Sequence, residues 1–421
     1  MNTPLNPPRP AARLAFPGPR FAVSIAFLIN GFVLGSWAPQ VPVLAARLGY
    51  SETALGLLIL VFGLGALTAM PLIGMAISKG GSKRPTLATQ LLLAASLPFL
   101  AFAPATVLAV PAAFFFGVTL GGMDVAMNAN AIAVEKTRAK AIMSSCHGFW
   151  SLGGFAGAAA GGPLIAALGH EGHALFVGAV TLALLWPVSR FGLDDRTLPV
   201  TGAAKPAGGL AGIVEAARRD RTALLKALAI GIFTLFAFFP EGVAIDWSAL
   251  FLRQDLGVDV AASGFAFAAF SAAMALFRFV GDPLRDRFGS VPTLVVSLFT
   301  ASAGLCVIAL SGELALVLIG FAVMGMGLAN VVPVAFSAAG NLPGLKPGIG
   351  ISIATTLGYS GALFAPSVVG FAAERFGFPT VFLTLAALLG VLLVMTPLVR
   401  NADRVRPGSE RPEGRPGEVR P

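Results

Sequence analysis

Charge is scarce in this sequence. Asp, Glu, Lys and Arg together make up 12% of it, about half the share with which a soluble domain covers its surface. Water is thereby excluded as the main solvent of the fold. Cysteine is scarcer still, with 2 in 421 residues, and there are 3 histidines. Cys146 and Cys306 both fall in apolar runs, which suits small buried side chains and not a disulfide. No Cys/His spacing of a metal site occurs, so neither a metal nor a cofactor is expected. The phosphate loop Gly-x-x-x-x-Gly-Lys-[Ser/Thr] is also missing, which excludes ATP-driven work by this chain. With no His-Glu-x-x-His pair and no Ser/His/Asp set, the sequence does not read as an enzyme.

What is present is oil. The chain is 56% hydrophobic, with a mean hydropathy of +0.83. Runs of roughly 20 apolar residues cross a bilayer as helices, and only helices or closed barrels satisfy their backbone there. The runs are continuous rather than alternating, which favours helices. Reading them between polar breaks gives twelve spans, at 21–44, 54–78, 86–103, 107–134, 142–168, 173–190, 224–252, 260–284, 291–311, 314–340, 348–373 and 378–399. The expected fold is therefore all-α and membrane-embedded, with twelve transmembrane helices.

The net charge of +9 is a matter of position. With a cytoplasmic N-terminus, three of the 29 Lys and Arg fall outside, namely Arg47, Arg253 and Arg375. The other 26 fall inside, which is the positive-inside asymmetry and places both termini in the cytoplasm. The basic excess is thus a topology signal, and no nucleic-acid partner is expected. The Pro-rich, basic start "MNTPLNPPRPAARLAFPGPR" precedes an apolar run too long for a cleaved signal peptide, so that run reads as span one.

The longest polar interruption divides the spans six and six. The expected organisation is a cytoplasmic tail at 1–20, a six-helix bundle at 21–190, and a cytoplasmic linker at 191–223. A second bundle at 224–399 and a disordered cytoplasmic tail at 400–421 complete it. Sliding the chain on itself by 208 residues aligns Leu48-Gly49 with Leu256-Gly257, Gly56 with Gly264, "SKGG" with "DRFG", and Gly117 with Gly325. An old duplication explains such matches at tight turns.

The loop "GMAISKGGSKR" resembles the signature between spans two and three of major facilitator superfamily transporters. Gly74, Lys79, Gly81, Lys83 and Arg84 match it, while Ser78 stands where that family has an Asp. The repeat copy keeps Asp286, Arg287 and Gly289. The resemblance implies two pseudo-symmetric six-helix bundles and a gating role for these loops. Within the superfamily, "GGMDVAMNANAIAVE" and "MSSCHGFWSLGG" resemble bacterial inner-membrane permeases allied to the fucose permease.

Charges and amides inside a bilayer are costly and usually face an interior site. Span four carries Asp124, Asn128 and Glu135 on one stripe, within about 40° at 100° per residue. Asn130 points elsewhere, toward a helix–helix bond. Span five carries His147, Trp150, Ser151 and Gly154 on one face, and Gly153, Gly157 and Gly161 on a small-residue face suited to close packing. By depth, spans four and five are expected to share one polar patch. Asp124, Glu135, Glu241 and His147 are the proton-coupling candidates, and Asn30, Gln40, Asn128, Trp150 and Ser151 the substrate-binding ones. Arg278 and Asp282 are one turn apart and are expected to pair. Trp37, Trp186 and Trp247 are expected in the interfacial belts.

The reading is a secondary active transporter of a small polar solute, a sugar or related metabolite, driven by protons through alternating access. It is expected to work as a monomer in a bacterial inner membrane. Drug efflux by the same fold is the alternative that the Phe-rich stretches "FFF" and "FTLFAFFP" leave open, and a non-transporting membrane sensor is another.

Overall fold

The computed structural model describes residues 18–138, 142–196, 220–345 and 347–403. Among them every regular element is helical. That follows from the solvent, because an apolar run without water must bond its own backbone.

Twelve crossings result. Spans one to four are Pro19–Leu48, Glu52–Gly80, Lys83–Ala101 and Thr106–Arg138. Spans five and six share the helical run Met143–Ala183, which breaks at Gly169 (φ 75, ψ 167) and continues as Leu185–Phe191. Span seven is Arg221–Asp246, followed after a non-helical Trp247 by Ser248–Gln254. Spans eight and nine are Phe265–Phe288 and Ser290–Leu310. Span ten is Leu314–Leu328 and then Val331–Gly340, and spans eleven and twelve are Pro347–Phe376 and Phe378–Met395. A last 3-10 turn, Thr396–Asp403, ends the described chain. An even number of crossings leaves both chain ends at one face, called here the terminal face; the opposite one is the far face. The expected tails at 1–17 and 404–421, and 197–219 of the expected linker, lie outside the described residues.

The 208-residue repeat is visible in the backbone. Among the described residues seven glycines have positive φ, and six of them form pairs at that offset: Gly49 with Gly257, Gly81 with Gly289, and Gly169 with Gly377. Packing repeats as well. A Cβ added at Gly117 would lie 1.8 Å from the carbonyl oxygen of Phe62, and one at Gly325 would lie 2.2 Å from that of Phe270. Both residues of the second pair are displaced by 208 from the first. The same holds between halves, where Gly56 meets Pro366 and Gly264 meets Ala158. Two pseudo-symmetric six-helix bundles thus face each other through related contacts.

One further tie repeats. Asp195, just beyond span six, accepts hydrogen bonds from Ser82 N (2.8 Å) and Ser82 Oγ (2.7 Å) at the start of span three. Asp403 accepts from Ser290 N (2.9 Å) and Ser290 Oγ at the start of span nine. These carboxylates satisfy the free N–H groups of two helix starts. Residues 400–403, expected to open a disordered tail, are therefore held in a helical turn against span nine.

The seam between bundles is closed toward the far face. Trp37 of span one bonds Asp246 of span seven, Ser367 bonds the Gly56 carbonyl, and Thr53 N bonds Glu374. A Cβ at Gly162 would strike the Ala261 carbonyl at 2.4 Å. Spans five and eight stay joined deeper, at Ser151, Ser271 and Arg278. Among the described residues, no hydrogen bond or ion pair joins the bundles at the terminal-face ends of spans two, four, ten and eleven. Toward that face the bundles still meet at Gly148 of span five, where an added Cβ would lie 2.2 Å from Phe279 Cζ of span eight.

Candidate functional site

Span five owes its place to its glycines. A Cβ at Gly153 would lie 2.0 Å from the Leu28 carbonyl oxygen, and one at Gly157 2.2 Å from that of Phe32. Gly31 and Gly35 of span one reciprocate against Trp150 and Gly154. This close packing puts span one between spans four and five, which pack little against each other. The two helices are instead bridged by Asn30. Its Nδ2 donates to the Leu120 carbonyl of span four (3.1 Å), and its Oδ1 accepts from Trp150 Nε1 of span five (2.9 Å). Asn30 is 2% exposed and uses both ends of its amide, so it positions Trp150.

The opposite face of span five meets the other bundle. Arg278 of span eight donates to Ser151 Oγ at 2.8 Å, and its guanidinium carbon lies 5.9 Å from the Trp150 ring centre. Its other nitrogen lies 3.6 Å from Glu241 Oε1 of span seven, and both side chains are about one-sixth exposed. Arg278 was expected to pair with Asp282, whose side chain lies outside the described ones; the guanidinium is turned to the seam instead. His147, one turn from Ser151, packs edge-on against Phe27 at 5.3 Å and lies within electrostatic reach of Arg278.

Asp124 and Asn128 are joined, the amide nitrogen lying 3.2 Å from Asp124 Oδ1 and 2.9 Å from its carbonyl. Tyr359 of span eleven lies within electrostatic reach of both Asp124 and Glu241, and its ring stacks on Phe238 at 5.9 Å. It is 44% exposed although it sits mid-helix. Sequence reading missed it, and the available signal was its rarity, as one of 2 tyrosines in the chain. The site thus gathers two carboxylates, one guanidinium, a phenol and an indole around a cleft.

Other candidates sit elsewhere. Glu135 lies on the expected stripe, but its Oε1 accepts from Ile142 N (2.6 Å) and Met143 N (2.9 Å), which caps span five. Gln40 is 4% exposed, with its amide nitrogen on the His170 carbonyl and on His173 Nδ1, both at 2.8 Å. That holds span one to span six near the far face, away from Arg278. Asn130 makes the expected interhelical bonds, to Ser82 Oγ and the Leu193 carbonyl. Trp186 is 66% exposed as a belt residue should be, whereas Trp37 and Trp247 are 4% and 0% exposed. These two tryptophans are spent on packing at the seam rather than on the membrane surface.

In the loop after span two, Ser78 Oγ turns back to the Met75 carbonyl (2.8 Å), Gly74 has no neighbour within 4 Å, and Lys79 and Arg84 are exposed. Gly81 (φ 74) makes the turn where Asp195 docks, and Lys83 lines a small cleft beside it with Asn130. In the repeat copy Gly289 (φ 84) makes the same turn, and Arg287 covers the Phe288 ring. The side chain of Asp286 lies outside the described ones. Outside the membrane, burial and then the charge of Glu52 raise the Asp255 carboxyl above the usual range, while hydrogen bonds from Arg196 hold Asp194 down at about 2.

Twelve helices in two duplicated bundles, with a polar cluster at the seam, define a class of membrane protein built by doubling. The chain belongs to the major facilitator superfamily, whose family model matches residues 23–252 and 242–420. It is 32% identical over 366 residues to an uncharacterized MFS-type transporter of Yersinia pestis, covering 87% of this chain and 91% of that one. It is 30% identical over 395 residues to the membrane protein MosC of Rhizobium meliloti, covering 93% and 92%. In fold it is similar to the nucleoside transporter NupG, with a TM-score of 0.71 at 13% identity over 90% of this chain and 98% of that one. A D-xylose–proton symporter gives 0.70 at 14% identity over 91% and 98%.

Proposed function

We propose that this protein is a proton-coupled secondary transporter of a small polar solute, working by alternating access at the seam between its bundles. The observation that carries the reading is the convergence of Arg278, Glu241, Ser151 and Trp150, contributed by both bundles, beside the Asp124–Asn128 pair. Residues from both halves must part and re-form as the bundles rock, and this links solute binding to the change of state. Asp124 and Glu241 are the proton carriers in this reading, and His147 assists them. Trp150, Asn128, Ser151 and Tyr359 contact solute, whereas Asn30 positions Trp150 and Glu135 and Gln40 hold helices together. The similarity in fold to a nucleoside transporter and a xylose–proton symporter supports small polar solutes as the class.

The charge asymmetry of the loops supports the terminal face as the cytoplasmic side, with a bacterial inner membrane as the setting, and in this reading the state described is inward-facing. The working unit is taken as the monomer, since each chain holds a complete seam. The test is uptake or counterflow of a panel of sugars, nucleosides and related metabolites in proteoliposomes with an imposed pH gradient. A solute should accumulate with the gradient, and Asp124→Asn should abolish accumulation while sparing binding. If no solute moves under any gradient although one binds, the transport reading fails.

A further inference from the structure

The far face, taken as the outer side in the preceding reading, has a buried acid that the central site does not use. Asp246 is 8% exposed and is the last residue of the first helix of span seven. Trp247 follows with non-helical backbone (φ −121, ψ −18), and the helix resumes at Ser248. The acid therefore sits at a local distortion of the span, across which the helical bonds from Trp247 N to Val243 and from Phe251 N to Trp247 are kept. Its Oδ1 accepts from Trp37 Nε1 of the other bundle at 3.0 Å. Glu374 of span eleven, bonded by Thr53 and Ser51, ties the same outer seam at its rim, whereas the Trp37–Asp246 bond is buried.

The surroundings hold no counter-ion. Among the described residues no Lys, Arg or His comes within ion-pair distance of Asp246. From span one the polar group on it is Trp37, while Gln40, three residues further along, is held by His170 and His173. On its own span, Glu241 lies about 7.5 Å further in by helical rise and faces Arg278. At the outer mouth stand Asp255 and Glu52, and Glu374, which is bonded by Thr53 and Ser51 and is followed by the exposed Arg375. Arg47 and Arg253 are turned to backbone carbonyls of Ala103 and Val258. Asp246 is thus a carboxyl closed off from water, with one neutral donor on it and no cation paired to it.

We propose that Asp246 is a second proton-carrying residue of the transport cycle, serving the outer seam. It binds one proton from the outside water as the seam closes over it and returns that proton when the seam opens. The protonated oxygen is Oδ2, while Oδ1 keeps the bond from Trp37. External acid thereby favours the inward-facing state, independently of the protons carried at Asp124 and Glu241. The inference rests on the alternating-access reading and adds a site to it.

The test follows the outer distance directly, without solute. Ala105 and Glu313 are exposed, lie in outer loops and correspond to each other by the 208-residue repeat. Spin labels at Ala105→Cys and Glu313→Cys, with Cys146 and Cys306 changed to Ser, report outer opening by pulsed EPR in nanodiscs. The open-to-closed ratio should rise with pH by up to about tenfold per unit through the transition, as one linked proton requires. Asp246→Asn keeps the shape and an acceptor for Trp37 but cannot titrate, so it should stay closed in alkaline buffer. Asp255→Asn should alter only the acid limb of the response and keep the rest.

A response absent from the parent protein, or unchanged in Asp246→Asn, overturns the inference. So does a response lost in Asp255→Asn but kept in Asp246→Asn, because the mouth acids would then carry it. If Asp246→Asn does not fold, Asp246→Glu decides: a kept slope with a shifted midpoint supports the assignment, and an unshifted midpoint refutes it. Labels that move with pH in a protein that transports nothing would sink the transport reading alone. Transport with labels indifferent to pH would sink this one alone.

Discussion

Arg278 joins more of the seam than any other side chain in the site, so it is where a single change is most informative. Removing it leaves Glu241 partly buried without its counter-ion, and breaking such a pair costs up to about 3 kcal/mol. Arg278→Ala should lower the unfolding midpoint in detergent and abolish solute-driven conformational change. Adding Glu241→Gln should recover the midpoint but not the change. The neighbouring Trp150→Phe removes the donor to Asn30 and leaves its buried Oδ1 unpaired, a loss of about 1–3 kcal/mol. Thermal unfolding should show that loss, and Asn30→Asp, which keeps the acceptor for Trp150 but turns a carboxylate to the Leu120 carbonyl, should be destabilising as well.

At the scale of helices, the packing of span one on span five makes a sharp contrast between glycines. Gly153→Ala drives a methyl to about the position now 2.0 Å from the Leu28 carbonyl oxygen, so the helices must separate. A cost of about 1–3 kcal/mol is expected. Gly74→Ala, in open space, should be neutral or slightly stabilising, since alanine is the better helix former. Parallel thermal melts check both. Such glycine faces were legible in the sequence, because small residues four apart mark close contact without naming the partner. The partner was not legible: nothing in a single span reveals that span one, not span four, lies on that face. For the same reason Asp124, Asn128 and Glu135 share a stripe as their spacing requires, yet Glu135 is drawn into a cap by a loop that periodicity does not describe.

Across the whole molecule, twelve crossings and the doubling could be read from hydropathy and from glycines at one offset. The long-range pairs could not. Trp37 and Asp246 are 209 positions apart, and only the closure of two bundles brings them together. Tyr359 likewise enters the site from a span whose sequence carries no charge beside it. The outer mouth has its own pH response. In the closed form the Asp255 carboxyl is raised by burial and by Glu52, so this form binds a proton more tightly than a fully solvated carboxyl would. Its closed form gains stability as pH falls through that raised value and loses it above. Asp255→Asn should flatten the acid limb of the outer-distance titration and leave the higher limb intact.

The paired carboxylate ties at Ser82 and Ser290 have a consequence for how the protein is made. Each tie spans 113 residues and closes wholly within one bundle. Neither half borrows the other's chain to finish its own last turn. The two halves should therefore assemble as separately translated polypeptides. Co-expression of the pieces on either side of a cut between Arg196 and Asp220 should give a complex that survives purification. Each piece carrying Asp195→Ala or Asp403→Ala should assemble less well, even though the altered residue touches nothing in the other half.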